Sequence, residues 1–225
     1  MPDYLSRSKE LLGEDKITSF NDKVIMVVGL GGVGGTAFNA LLRSGFKHFI
    51  IVDFDVVDPT NLNRQIMYTS KDIGKNKVDV CETFAKDFSK DIIIEKHNMF
   101  VDENSLSEFK DKKIDYIVDA IDKIPSKLSL IKFANDRKIP IIVSLGMGNR
   151  INPEEVMITK LQKTENDPLA KRLRYLLRKE SVDLKSINVV FSKETPIVKK
   201  EKPASMIMVP STAGLLIAKH IIESI

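Results

Sequence analysis

Val24-Ile25-Met26-Val27-Val28-Gly29-Leu30-Gly31-Gly32-Val33-Gly34 decides how this chain folds. Five consecutive apolar residues, most of them β-branched, are the pattern of a strand buried on both faces of a parallel sheet. Gly29, Gly31 and Gly34 then fit G-x-G-x-x-G, with Gly32 inside the turn. Glycines let a backbone approach phosphate groups. The helix expected over 37–44, closed by Gly45, would turn free N–H groups and the positive end of its dipole toward them. Strand, glycine turn and helix in this order make a nucleotide-binding unit.

Working outward, the same rhythm repeats. Apolar runs at 49–52, 92–95, 116–118 and 141–143 predict four further strands, and helical stretches lie near 75–88 and 123–135. This β-α-β order predicts an α/β fold, a Rossmann-like, doubly wound and mostly parallel sheet. After Leu145 the rhythm changes to a C-terminal α+β extension. It comprises a turn at 146–150, a strand at 156–158, a helix opened by Asp167-Pro168, a strand at 189–191, a lysine-rich loop through Lys202 and a last helix from Ser211. An acid at the N-cap and proline at the first helical position mark the start of the Asp167 helix.

Composition bounds the function. At 43% hydrophobic and 29% charged residues, the 225-residue chain has enough apolar content for a packed core. An excess of 35 basic over 31 acidic residues gives +4, which permits an anionic partner without requiring one. The one cysteine, Cys81, excludes an internal disulfide, a CxxC redox pair and a cysteine-built zinc site, and it fits a reducing compartment. The first residues are charged throughout and lack the apolar core of a leader. The apolar stretch 204–225 is broken by Pro210, Lys219, His220 and Glu223, too often for a membrane span. A cytoplasmic chain with no membrane partner is expected.

Asp53 ends the second strand, 19 residues past Gly34, where a carboxylate can accept hydrogen bonds from a ribose. Up to here a nicotinamide dinucleotide would serve as well as a mononucleotide. The stretch Asp53-Phe54-Asp55-Val56-Val57-Asp58-Pro59-Thr60-Asn61-Leu62-Asn63-Arg64-Gln65 changes the balance. It crowds acids, amides and an arginine into a loop after a strand, where α/β sheets bind ligands. Lys77 follows, and Asp122 lies just beyond the fourth strand in Asp119-Ala120-Ile121-Asp122. A nucleoside triphosphate carries the charge that such a set would answer. Taken singly, Arg64 and Lys77 read as surface charges and Asp122 as a helix cap; their joint placement at strand ends points to chemistry.

These motifs, together with Gly74-Lys75-Asn76-Lys77, resemble the ubiquitin-activating-enzyme superfamily, whose members adenylate carboxylates. The later segments Ser144-Leu145-Gly146-Met147-Gly148-Asn149-Arg150, Asp167-Pro168-Leu169-Ala170-Lys171-Arg172 and Val189-Val190-Phe191-Ser192-Lys193-Glu194 are similar to its tRNA threonylcarbamoyladenosine dehydratase branch. The resemblance implies a single adenylating domain, with 1–145 as the nucleotide-binding half and 146–225 as the substrate-binding and dimer half. It implies ATP as cosubstrate, held by Gly29, Gly31, Gly32, Gly34, Asp53, Asp55, Asn61 and Asn63. Arg64 and Lys77 would bind phosphate groups and Asp122 would sit on Mg²⁺. Arg7 matches an arginine that reaches the partner subunit's ATP, which implies a homodimer; an exposed helix charge is the other reading of Arg7. The implied substrate is N6-threonylcarbamoyladenosine in tRNA, with a sulfur-relay protein as a further partner. An adenylyltransferase acting on the C-terminus of a small sulfur-carrier protein is the competing reading, and a non-catalytic nucleotide-binding dimer is a third.

Val78, Cys81, Ala85 and Phe88 recur at helical spacing, so Cys81 reads as a packing residue rather than an acyl-accepting thiol. His48, His97 and His220 are scattered without ligand spacing and receive no chemistry. Five basic residues (Lys171, Arg172, Arg174, Arg178 and Lys179) mark a helical face that is either solvated or a seat for RNA phosphates.

Overall fold

The computed structural model describes residues 3–198 and 203–225. Its strands are β1 (Val24–Val28), β2 (His48–Val52), β3 (Ile93–His97), β4 (Tyr116–Asp119), β5 (Ile141–Ser144), β6 (Val156–Lys160) and β7 (Asn188–Ser192). The helices that frame them are α1 (Ser6–Leu12), α2 (Glu14–Ser19), α3 (Gly32–Arg43), α4 (Lys77–Phe88), α5 (Ile124–Asp136), α6 (Pro168–Lys179) and α7 (Met208–Ser224). One sheet runs β3-β2-β1-β4-β5-β7-β6. Every pairing is parallel except β6 on β7, where Val156 faces Ser192 and Lys160 faces Asn188. The expected doubly wound sheet is therefore present, and β7 joins the extension to β5 within it.

Alternate residues of β1 serve opposite faces. Ile25 and Val27 pack with Phe38, Leu41 and Leu42 of α3 and with Ile217 and Ile221 of α7. Met26 and Val28 pack with Phe109, Leu130 and Ala134 on the α5 side. Full burial of each such side chain contributes about 1.5–3 kcal/mol, so a strand buried on both faces specifies its own position. A third cluster joins Val143 and Val189 to Leu173 and Leu177 of α6. No helix among the described residues is long and apolar enough to cross a membrane.

Two helices begin earlier than expected, and two short ones were not expected. Helix α3 begins at Gly32, five residues early, and takes Gly34 and Gly35 into its first turn. A glycine inside a helix costs about 1 kcal/mol relative to alanine, but here a Cβ on Gly34 would collide with the Gly29 carbonyl oxygen. Helix α7 begins at Met208, with Pro210 in its first turn, where a missing N–H would have had no helical partner. Helices α1 and α2 leave no mark on the sequence pattern, since each is too short to show a 3.6-residue period. They are anchored by few apolar residues, chiefly Leu5, Ile17 and Phe20.

The strand order reverses between β1 and β4, since β2 and β3 lie on one side and β5 on the other. At such a switch point the connections leave in opposite directions and open a crevice at the carboxyl ends of the strands. Gly29 sits there with φ +88°, and a Cβ on it would lie 2.7 Å from the Ala120 carbonyl oxygen. Only glycine lets the turn after β1 pass so close to the end of β4.

Candidate active site

The crevice is a cavity of about 550 Å³ that reaches from the end of β2 to the end of β5. Gly29, Gly31 and Gly32 line it from the turn, Asp53, Asp55, Asn61 and Arg64 from the segment between β2 and α4, Lys77 from the first turn of α4, and Asp122 from the loop after β4. Residues far apart in sequence meet there, as their joint placement at strand ends predicts.

Asp53 is buried and ties the two loops together. Its Oδ2 accepts the Leu30 N–H at 2.6 Å and its Oδ1 accepts the Asp55 N–H at 2.8 Å. Burial pushes its pKa above the usual carboxylate range, against the pull of the nearby Lys77 ammonium and the two backbone donors. An acceptor so placed has lone pairs left for a ribose hydroxyl. Lys77 opens α4 and is itself buried, with Nζ donating to Asp55 Oδ2 at 2.8 Å. One ammonium has three donors, so this bond leaves two for a ligand. Arg64 is held over the cavity by bonds from Nη1 to the Thr60 carbonyl at 2.7 Å and Asn63 Oδ1 at 2.9 Å. The Asp58 side chain orders this loop by accepting the Thr60 N–H.

Three expected residues lie elsewhere. Gly34 is packed behind the turn and serves the close fit already described. Asn63 does not line the cavity; its Nδ2 donates to the Ser205 carbonyl at 2.8 Å, and its Oδ1 steers Arg64. Arg7 is exposed on α1, whose neighbour Leu5 packs on Gly45 and whose preceding Tyr4 packs on Phe88. Gly45 and Phe88 follow or end helices that run to the amino ends of the strands, so within one copy of the chain Arg7 is at the opposite end of the sheet from the cavity.

Asp122 is exposed and makes no hydrogen bond or ion pair among the described residues. No group of three or more His, Cys, Asp or Glu among the described residues gathers to hold a metal. One free carboxylate lining the cavity is compatible with Mg²⁺, which keeps most of its water and takes one or two protein carboxylates with substrate phosphates.

Several lining residues carry little signal in the sequence. Gln65 is buried, and its Oε1 has no partner; its place beside Arg64 is the one sign of a role. Phe54 and Phe100 meet edge to face, centroids 5.4 Å apart, with Lys123 Nζ 5.1 and 5.2 Å from the two rings. The residues of the 144–148 loop form the β5 wall. Cys81 is fully buried, as its helical spacing predicts, and burial pushes its thiol up to about 12. That is the wrong direction for an acyl-accepting thiolate.

Residues 5–223 match the family described as ThiF family. The chain belongs to the ThiF family. Among its relatives is the tRNA threonylcarbamoyladenosine dehydratase of Bacillus subtilis strain 168, 35% identical over 96% of this chain and 92% of that protein. The crystal structure of Escherichia coli tRNA N6-threonylcarbamoyladenosine dehydratase in complex with ATP superposes with a TM-score of 0.92, covering 98% of this chain and 93% of that one at 30% identity. The AMP complex of the same enzyme gives 0.91 over 97% and 92%. The ThiF-family chain thus shares its whole architecture with these dehydratases, including the extension after β5.

Proposed function

We propose that this chain is an ATP-dependent tRNA threonylcarbamoyladenosine dehydratase, acting in the cytoplasm on N6-threonylcarbamoyladenosine in tRNA. The observation that carries the reading is the convergence of Asp53, Arg64, Lys77 and Asp122 on one cavity at the switch point. The near-complete structural match to an ATP-bound dehydratase supports it.

A carboxylate is a poor acyl donor because its leaving group would be an oxide. Its oxygen attacks the α-phosphorus of ATP, pyrophosphate leaves, and the carboxylate becomes a mixed anhydride with AMP. A nitrogen of the same modification then attacks the acyl carbon, AMP leaves and a ring closes, with net loss of water from the nucleoside. Asp53 holds the ribose, the N–H groups of the glycine turn and the start of α3 face the phosphates, and Arg64 and Lys77 offset charge that grows on them. Mg²⁺, when bound at Asp122, would neutralise phosphate oxygens. Ring closure is intramolecular, so proximity supplies its rate and no protein thiol is needed. The buried Cys81 agrees with this route.

A homodimer, in which Arg7 of one copy completes the other's site, and a sulfur-relay partner belong to the same proposal. Activation of a sulfur-carrier protein would use the same first step, but no feature of the cavity favours it. Asp122→Ala tests the assignment: AMP formation should fall to background while the far-ultraviolet circular dichroism spectrum stays native. Near-normal turnover in that variant would remove Asp122 from the mechanism.

A further inference from the structure

We infer that the β5 side of the cavity, walled by Ser144, Leu145, Met147 and Leu169, seats the threonylcarbamoyl group, and that Arg150 is the positioning residue that builds this wall. The inference rests on the proposed function and names where its second ligand lies.

The cavity spans the ends of β2, β1, β4 and β5. Three interstrand spacings make this about 14 Å, wide enough for a nucleotide and a neighbour. Its cationic lining side chains, Arg64 and Lys77, come from the stretch between β2 and the first turn of α4, as does Asp53. The β5 wall carries no charge. Leu145, Met147 and Leu169 are apolar, and Ser144 offers a hydroxyl whose only bond is a 3.3 Å contact to the Leu145 carbonyl. Ser126, which lines the floor between the two halves, is 1% exposed, and its Oγ has no partner. A wall of this kind is unsuited to phosphates. It suits an acyl group whose carboxylate charge is masked in the anhydride, with a hydroxyl or amide left to meet a buried serine.

The wall has its own support. The buried Arg150 guanidinium donates to the Gly146 carbonyl, to the Gly148 carbonyl at 3.2 Å and to the Glu194 carbonyl at 2.9 Å. Its Nη2 makes no hydrogen bond and stands 3.9 Å from the Asp167 carboxylate. Asp167 in turn accepts the Gly146 N–H at 3.2 Å and caps α6 through the Ala170 N–H at 2.9 Å. Asn149 has φ +62°, and its N–H and Oδ1 both bond to Ala204. Arg150 is thereby committed to groups of its own fold, behind the cavity lining. Its effect is to hold the 145–149 loop in one curve. Because Asp167 starts α6, the wall and the basic helix are fixed to each other.

The test uses Leu169→Trp, which fills the β5 side from a half-buried position, together with Arg150→Met and Arg150→Lys. ATP affinity is read by calorimetry, and kcat and KM are read with tRNA bearing N6-threonylcarbamoyladenosine. The free nucleoside serves as an inhibitor competing with tRNA. Leu169→Trp should raise the tRNA KM and abolish nucleoside inhibition. Arg150→Met should lower kcat/KM for tRNA by about 10- to 100-fold, the scale of a small misplacement of a bound group, and Arg150→Lys should recover part of it. ATP affinity should stay unchanged in all three. If wild type is active and both Leu169→Trp and Arg150→Met leave tRNA kinetics unchanged, or weaken ATP binding in parallel, the wall is not the acyl seat. If Arg150→Met fails to fold, Leu169→Trp alone decides. An inactive wild type would instead overturn the proposed function itself.

Discussion

The Lys127 ammonium lies 2.8 Å from the Asp119 carboxylate, and neither side chain has any solvent exposure. The same Asp119 oxygen accepts the Ile121 N–H at 3.1 Å, so the pair fixes the turn that delivers Asp122 to the cavity. Burial raises the Asp119 pKa despite the ammonium beside it.

Lys127→Met should therefore lower the unfolding free energy by about 3–5 kcal/mol, because it leaves a buried charge without its partner. Replacing both residues, as Asp119→Leu with Lys127→Met, should recover most of that loss. Urea denaturation of the two variants measures the difference. A double variant no more stable than Lys127→Met would mean that the unpaired Asp119 charge is not the cause of the loss.

Asp53→Asn should weaken ATP binding by about 10- to 100-fold. An amide cannot accept both the Leu30 and Asp55 N–H groups, and hydrogen bonds to a charged acceptor contribute about 1.5–3 kcal/mol. The pH dependence has a definite sign. Since burial raises the folded pKa of Asp53, nucleotide affinity should fall on acidification sooner than ordinary carboxylates titrate. The stability contribution runs the other way. Between the ordinary and the raised pKa the native state holds a proton that the unfolded chain has released, so this contribution is lost as pH rises through that window. Calorimetric titration of wild type and Asp53→Asn across this range checks both. A wild-type affinity flat in pH down to the ordinary carboxylate range would contradict the ribose-binding role.

Much of this is legible in the residues. A five-residue apolar run followed by glycines marks the first strand and the turn after it, and polar residues after strands have few places to go but the crevice. What stays hidden shares a cause, which is that tertiary context reverses the default for a charged residue. Lys127 carries no mark in the sequence that sets it apart from surface lysines, yet it is fully buried. Arg150 reads as part of a turn and is the brace of the cavity wall. Arg174 reads as one of five free cations, yet its Nη1 donates to the Thr164 carbonyl at 2.9 Å and to the Thr164 hydroxyl. Short helices with few apolar anchors, α1 and α2, give no period to detect. Lys199, Lys200 and Lys202 of the lysine-rich loop lie outside the described residues.

The basic face of α6 therefore reduces to Lys171, Arg172, Arg178 and Lys179, all exposed. Tyr175 is exposed among them, with Arg172 5.5 Å and Lys179 4.6 Å from its ring centroid. Changing the four cations to glutamine should raise the tRNA KM and flatten its salt dependence, by about 0.7 to 0.9 in log–log slope for each phosphate that loses its cation. Arg174→Gln should act on stability instead, by loosening the segment around Thr164. Unchanged tRNA affinity and slope in the quadruple variant would place the RNA elsewhere.

The central claim is a chemical change in one nucleoside, and mass spectrometry of that nucleoside reads it directly. After incubation of purified protein with ATP, Mg²⁺ and tRNA bearing N6-threonylcarbamoyladenosine, the digested tRNA should yield a nucleoside lighter by one water, with AMP and pyrophosphate formed in equal amounts. An unchanged nucleoside under conditions where the protein binds ATP and the tRNA would contradict the account.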